Sequence, residues 1–190
     1  MSYATRGVLL GVLAMTVVVV ASNILVQHPI QLELTVFGIP ADHLWTWGAL
    51  SYPVAFLVTD LCNRSMGPAK ARRVVYAGFA VAVLLSAAFA GWRIALASGT
   101  AFLLAQLLDV LIFDRLRRMR WWQAPLISSG LASTLDTLVF FSLAFAGTAV
   151  PWPTLALGDY AVKLAVAVIM LVPFRALMSF LPRAELAPSR

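Results

Sequence analysis

Long apolar stretches alternate with short polar turns along the chain, and six of the stretches are long enough to be helices across a bilayer. A hydrocarbon core of ~30 Å takes about 20 helical residues per crossing. The stretches fall at about 7–26, 44–61, 74–91, 94–113, 125–147 and 155–181. The first could pass for a signal peptide, but its uncharged run exceeds the usual core of ~7–15 residues and further spans follow. In lipid the backbone hydrogen bonds of each segment must close within it, so helices are expected throughout. The pattern predicts an all-α integral membrane protein, a six-transmembrane-helix bundle. No linker or low-complexity tract divides it, so a single transmembrane domain over 1–190 is expected.

Composition excludes the soluble alternatives. Of the residues 62% are hydrophobic and 12% charged, with mean hydropathy +0.90. Soluble domains run at about half apolar and about a quarter charged, and a chain this small cannot hide the excess in one core. A water-soluble enzyme, a secreted disulfide scaffold and a disordered chain are therefore ruled out. The single cysteine, Cys62, excludes an intramolecular disulfide and a multi-cysteine metal site.

Charge changes the picture once it is sorted by position. Fourteen Lys+Arg against eight Asp+Glu give +6 and a pI near 10.3, which in a soluble protein would suggest nucleic acid. Here the basic residues occupy alternate loops: Arg6, then Arg64, Lys70, Arg72 and Arg73, then Arg115, Arg117, Arg118 and Arg120, then Arg183 and Arg190. The opposite loops hold only Arg93, with His28, Glu33, Asp42 and His43 in the 27–43 segment. The positive-inside rule places both termini in the cytoplasm (N-in, C-in), and nucleic-acid binding drops out. All six tryptophans, Trp45, Trp47, Trp92, Trp121, Trp122 and Trp152, fall near span ends as interface anchors.

The chemistry lies in the polar groups that enter the spans, because intramembrane charge is costly and marks function by default. Asp60 and Asn63 sit near the end of the second span, Gln106 and Asp109 in the fourth, Asp136 mid-way along the fifth, and Asp159 and Lys163 in the sixth. Ser129, Ser133, Asp136, Thr137 and Phe140 share one helical face. Such stripes must face one another or water, and together they define a polar cavity. Helix–helix glue is the alternative role, and a buried Asp136–Lys163 pair would serve it. Carboxylates outnumber the one in-span lysine, however, and the surplus favours a cationic or donor-rich ligand, or a protonated carboxyl. Pro53 and Pro173 predict kinks, as in the interrupted helices of transporters. Gly7-xxx-Gly11 and the Gly78, Ala82, Ser86, Ala90 stripe predict close helix packing, with a homodimer seam as the other use.

No P-loop, HExxH or nucleophile elbow is present, so neither a metal nor a cofactor is expected. Leu157-Gly158-Asp159 lacks the first glycine of the GxGD of intramembrane aspartyl proteases, since Ala156 stands there.

Four segments carry a resemblance: FLVTDLCNRSMGPAKARRVVYAGF at 56–79, RIALASGTAFLLAQLLDVLIFDRLR at 93–117, SSGLASTLDTLVFF at 128–141, and LGDYAVKLAVAVIMLVPFRAL at 157–177. From the second span to the end, the chain resembles the queuosine-precursor transporters, the family also called vitamin uptake transporters. The resemblance implies uptake of 7-cyano- or 7-aminomethyl-7-deazaguanine, precursors of a tRNA modification, across the bacterial inner membrane. A guanine-type edge offers N1–H and a 2-amino group to a carboxylate, leaves other atoms for amide side chains, and can stack on an aromatic ring. Substrate binding is accordingly expected from Asp60, Asn63, Gln106, Asp109, Ser133, Asp136, Thr137 and Lys163. Asp109 or Asp136 is the expected base-edge acceptor, and Phe56 and Phe140 are the candidate stacking partners. Two other classes stay open: a substrate-capturing subunit of an energy-coupling-factor system, and a membrane enzyme using Asp109 and Asp136 as a pair.

Overall fold

In the computed structural model, residues 3–25, 28, 35–36, 39–40, 47–89, 92–181 and 184 are described. Most of the 27–43 loop, including Glu33, Asp42 and His43, lies outside the described residues, as do residues 44–46, Ala90, Arg183 and Arg190. The elements are α1 (Tyr3–Leu25), β1 (Thr35–Val36), β2 (Ile39–Pro40), α2 (Trp47–Ser51), α3 (Val54–Met66), α4 (Pro68–Phe89), α5 (Trp92–Leu116), α6 (Gln123–Phe145) and α7 (Trp152–Met178). Among the described residues the one strand pairing is antiparallel, β1 with β2, with Thr35 opposite Pro40 and Val36 opposite Ile39.

Among the described residues four helices are long and apolar enough to cross a membrane: Thr5–Ser22 within α1, and α5, α6 and α7. The other two expected spans look different. The stretch expected at 44–61 is a broken helix, with Tyr52 and Pro53 forming a turn between α2 and α3. Proline has no N–H to continue the α2 ladder, and α3 restarts with Ala55 N–H on Tyr52 O at 3.0 Å and Phe56 N–H on Pro53 O at 3.1 Å. The stretch expected at 74–91 begins earlier, at Pro68, because its first turns carry Lys70, Arg72 and Arg73. Those charges hide a helix from a hydropathy reading, yet cost nothing where a helix end meets water.

Gly67 joins α3 to α4. At φ +85° it occupies the left-handed region that glycine enters freely. Its N–H reaches Asn63 O at 2.9 Å, while its carbonyl takes the Ala71 N–H at 3.1 Å, so one residue ends one helix and starts the next. Arg93, which stands apart from the basic clusters in the sequence, is also accounted for. Its Nε donates to Leu143 O at 3.0 Å and its Nη2 to Ala146 O at 2.6 Å. It satisfies the carbonyls at the end of α6, where a cation also complements the helix dipole.

The helices form a ring in the order α1, α4, α5, α6, α7, closed by α2, and α3 lies inside it against α1, α4, α5, α6 and α7. At 13 residues α3 spans about 20 Å, short of a bilayer, and it carries a buried face of Thr59, Asp60 and Asn63. A segment too polar for lipid is therefore the one the other helices wrap. On α1 the arrangement shows from outside, with Leu9, Leu10, Leu13 and Val17 exposed while Met15, Val19 and Ser22 are buried. Exposed leucines of this kind are the face a bilayer would cover.

Close approach comes from the small residues. A Cβ at Gly11 would stand 2.7 Å from Cys62 Sγ and 2.9 Å from Val74 Cγ2, and Gly78 packs on Met15 and Phe102. These described positions of the small-residue stripes are filled by the chain itself. Gly11→Leu is expected to destabilise by about 1–3 kcal/mol through overpacking. Thermal unfolding of the detergent-solubilised protein checks this, and an unchanged midpoint would contradict the packing.

Candidate functional site

The central position of α3 brings polar faces of α3, α5, α6 and α7 together, and they meet in two clusters. Ser129 and Asp136 are seven residues apart on α6, so the clusters stand about 10 Å apart along the bundle.

The cluster toward α2 is built on Lys163, whose ammonium has three donors. Nζ lies 2.7 Å from Asp136 Oδ2, 2.5 Å from Asp159 Oδ2 and 3.2 Å from Thr137 Oγ1. Thr137 Oγ1 in turn donates to Asp159 Oδ2 at 2.9 Å. Tyr52, at the break between α2 and α3, places its hydroxyl 3.4 Å from Asp136 Oδ1. The ammonium sits 5.9 Å from the centre of the same ring. Every donor of Lys163 is used, and short bonds lock the group. It joins α6 to α7 as a buried ionic clasp, with one carboxylate more than it has cations.

The cluster toward Gly67 has the opposite character. Asp60 on α3 and Asp109 on α5 are buried and close enough to interact electrostatically. Among the described residues neither forms an ion pair. Asp60 is held only loosely: Ser128 Oγ donates to its Oδ1 and Ser129 Oγ to its Oδ2, both at 3.4 Å. Hydroxyl–oxygen hydrogen bonds normally lie near 2.7–2.8 Å. Both oxygens of Asp109 lack a donor, as Gln106 Nε2 lacks an acceptor and Ser133 Oγ lacks either. Gln106 Oε1 is taken by Thr59 Oγ1 at 2.6 Å, which leaves the amide nitrogen as its open end. Native interiors satisfy nearly all such atoms, and a group of unmet ones calls for an explanation such as an ordered water, an ion or a functional role.

A pocket opens onto this cluster. Its walls are Phe56, Asp60 and Pro53 from the α2–α3 region, Ser129 and Ser133 from α6, and Phe174 among the residues from α7. The free cavity is about 10 Å³, room for one water. Anything larger than a water needs the walls to part.

The sequence-predicted residues separate accordingly. Asp60, Ser133 and Phe56 line the pocket, with Gln106 and Asp109 buried behind them. Asp136, Thr137 and Lys163 belong to the ionic clasp instead. Asn63 is spent on holding the helix ends: its Nδ2 donates to Val110 O at 2.9 Å, and its Oδ1 accepts from Arg117 Nη2 at 2.6 Å. Phe140 stacks edge-to-face on Phe141 and Phe145, with centroids 5.2 and 6.1 Å away, and does not line the pocket. The candidate set also lacked Tyr52, Thr59, Ser128, Ser129 and Asp159. The last two stand on polar stripes visible in the sequence; Tyr52 and Thr59 have no periodic signal of their own.

Comparison with known proteins reaches α2 to α7. A family described as "Putative vitamin uptake transporter" matches residues 46–91 and 87–178. The chain is similar to the "Probable queuosine precursor transporter" of Haemophilus influenzae, at 38% identity over 186 residues, 82% of this chain and 79% of that protein. It is 36% identical to the "Queuosine precursor transporter" of Escherichia coli over 182 residues, with the same 82% and 79% shares. A "Probable queuosine precursor transporter" of Bacillus subtilis is 28% identical over 196 residues, 87% of this chain and 82% of that protein. No solved structure matches.

Proposed function

The chain belongs to the vitamin uptake transporter family, and we propose that it imports queuosine precursors, 7-cyano- or 7-aminomethyl-7-deazaguanine, across the bacterial inner membrane. Its relatives carry transporter names, and it is a multi-pass membrane transporter, not an enzyme. In the proposed topology the single domain crosses six times, with α2 and α3 together making one broken crossing and α4 another, and both termini are cytoplasmic. The basic clusters Lys70, Arg72, Arg73 and Arg115, Arg117, Arg118, Arg120 then share the inner face. The described small-residue faces are already filled, so the proposal calls for no homodimer.

One observation carries the substrate reading. Two buried carboxyls stand without a cation beside an unmet amide nitrogen and an unmet hydroxyl, at the wall of a pocket between kinked helices. A donor-rich base answers that set. Its N1–H and 2-amino group point at Asp60, Ser133 and Gln106 meet its acceptors, and Phe56 covers a ring face. Asp136 and Lys163 keep the helices aligned without touching the base.

The test is uptake of labelled 7-cyano-7-deazaguanine by liposomes holding the purified full chain alone. Saturable uptake, competed by unlabelled 7-aminomethyl-7-deazaguanine, is expected. Uptake that appears only with an added ATP-hydrolysing partner would make the chain a substrate-capturing subunit instead, and none under either condition would refute the substrate assignment.

A further inference from the structure

The register of α3 on α5 sets Asp60 against Asp109. Thr59 Oγ1 donates to Gln106 Oε1 at 2.6 Å and Asn63 Nδ2 to Val110 O at 2.9 Å, two ties that each join residues 47 apart in sequence. Each aspartate stands between these ties on its own helix. The carboxyls come within hydrogen-bonding reach of each other and of Ser128 and Ser129. Both are buried, and Ser133 Oγ, itself 1% exposed and on the pocket wall, has no partner.

The charged groups on every neighbouring element lie off the pair or are engaged elsewhere. α1 and α4 pack Met15, Val19, Val74 and Val75 into the core; Arg6, Arg72 and Arg73 are exposed, and Lys70 is half-buried beside Gly67. Arg64 lies one turn along α3 toward the same end. On α5, Arg117 holds Asp114 and Asn63. Asp136 of α6 and Asp159 of α7 share Lys163, and Arg175 of α7 stacks on Trp121 at 5.1 Å. Among the described residues neither Asp60 nor Asp109 forms an ion pair.

Two carboxylates in contact inside such a medium cannot both stay charged without a cation. One proton satisfies the contact, and it belongs to the pair rather than to either residue. A base enters only when the pocket walls part, and water then reaches the pair. Hydrated carboxylates can ionise together; enclosed over an uncharged base they cannot. With the pocket read as the substrate site, as proposed above, we infer that the Asp60–Asp109 pair is a proton site and the chain a proton symporter. One proton from the outer water binds between the carboxyls as the site closes over a neutral 7-deazaguanine, and it passes to the inner water when the base leaves. The pair keeps one negative charge, which meets the N–H edge of the base.

The experiment places the purified full chain in liposomes, with the membrane potential held at zero by potassium and valinomycin and labelled 7-cyano-7-deazaguanine equal on both sides. Making the outside one pH unit more acidic is expected to drive the base inward to about a tenfold excess, one proton per base. Equal distribution under that gradient, in a protein that does exchange the base, overturns the inference. Accumulation that follows a sodium gradient at equal pH overturns it too, because the pair then takes a metal cation. Asp109→Asn should lose the excess and equilibrate the base at a reduced rate; a retained tenfold excess removes Asp109 from the proton site. Infrared spectroscopy of the substrate-free protein gives a reading that needs no transport. A protonated-carboxyl C=O band is expected in wild type and not in the double variant Asp60→Asn, Asp109→Asn. Its absence from wild type, or its persistence in the double variant, overturns the proton site. A band that behaves as expected in a protein that carries no deazaguanine under any gradient refutes the substrate reading and the symport with it, and leaves the shared proton standing.

Discussion

Asp60→Asn is expected to weaken binding of the 7-deazaguanine by about 100-fold or more while leaving the folded protein intact. In the proposed site the carboxylate accepts two N–H bonds from the base edge, and hydrogen bonds to a charged group contribute about 1.5–3 kcal/mol each. Losing both costs at least ~3 kcal/mol, or roughly two orders of magnitude in Kd. An asparagine keeps one acceptor but turns an N–H toward the substrate's own donors, so the geometry is preserved and the polarity is wrong. Stability should move the other way. Asp60 is 2% exposed and faces no cation among the described residues, so an amide that never ionises should be tolerated at least as well there. Equilibrium binding of the labelled base to the purified variant, alongside its thermal unfolding midpoint, separates the two effects. Wild-type affinity in Asp60→Asn would remove Asp60 from the binding site.

Lys163→Met should fail for a different reason. The lysine is 4% exposed and lies between Asp136 and Asp159. Removing it strands two carboxylates inside the bundle, and breaking a buried pair from one side typically costs about 3–5 kcal/mol. Little of the variant should survive heating or detergent extraction. The triple variant Lys163→Met, Asp136→Asn, Asp159→Asn removes the charges together and should regain most of the lost stability, because coupled groups are not additive. Thermal unfolding of both proteins in the same detergent decides it. A stable single variant would mean that the ionic clasp does not hold α6 to α7. A triple variant that still binds the base would confirm that the clasp is structural, whereas loss of binding at restored stability would bring it into the site.

Much of the bundle could be read from local sequence, and the departures have identifiable causes. Each expected span contains a helix, since hydropathy over a window reports whether a segment suits lipid. The boundaries moved where helix and bilayer part company. Arg115 lies inside α5 and Lys70, Arg72 and Arg73 inside α4, because a helix can run on into water. The reading of Pro53 as a kink fell short in degree: losing one N–H at the α2–α3 junction produced a full break, and that break puts Tyr52 over the ionic clasp. Burial was anticipated for the candidates and holds for nine of the ten, Phe140 being half-buried, yet their partners were not foreseen. Asn63 reads as a ligand by type and depth, but Arg117, 54 residues on, takes its oxygen.

Sequence alone determined the solvent of this protein and the depth of its charges. Hydropathy and helical period are properties of neighbours along the chain, so a single helix carries them without knowing what it packs against. The tertiary structure decided which of the buried carboxylates is spoken for. Lys163 meets Asp159 at i, i+4 on its own helix, a contact any reader of the sequence can find, but it meets Asp136 across 27 residues. That second contact depends on how far α6 and α7 are each turned about their axes, and so does the lack of any such partner for Asp60 and Asp109. Charge compensation is a sum over space. Only the packed bundle shows that a cation stands between the carboxylates at Lys163 and that, among the described residues, none does at the pocket.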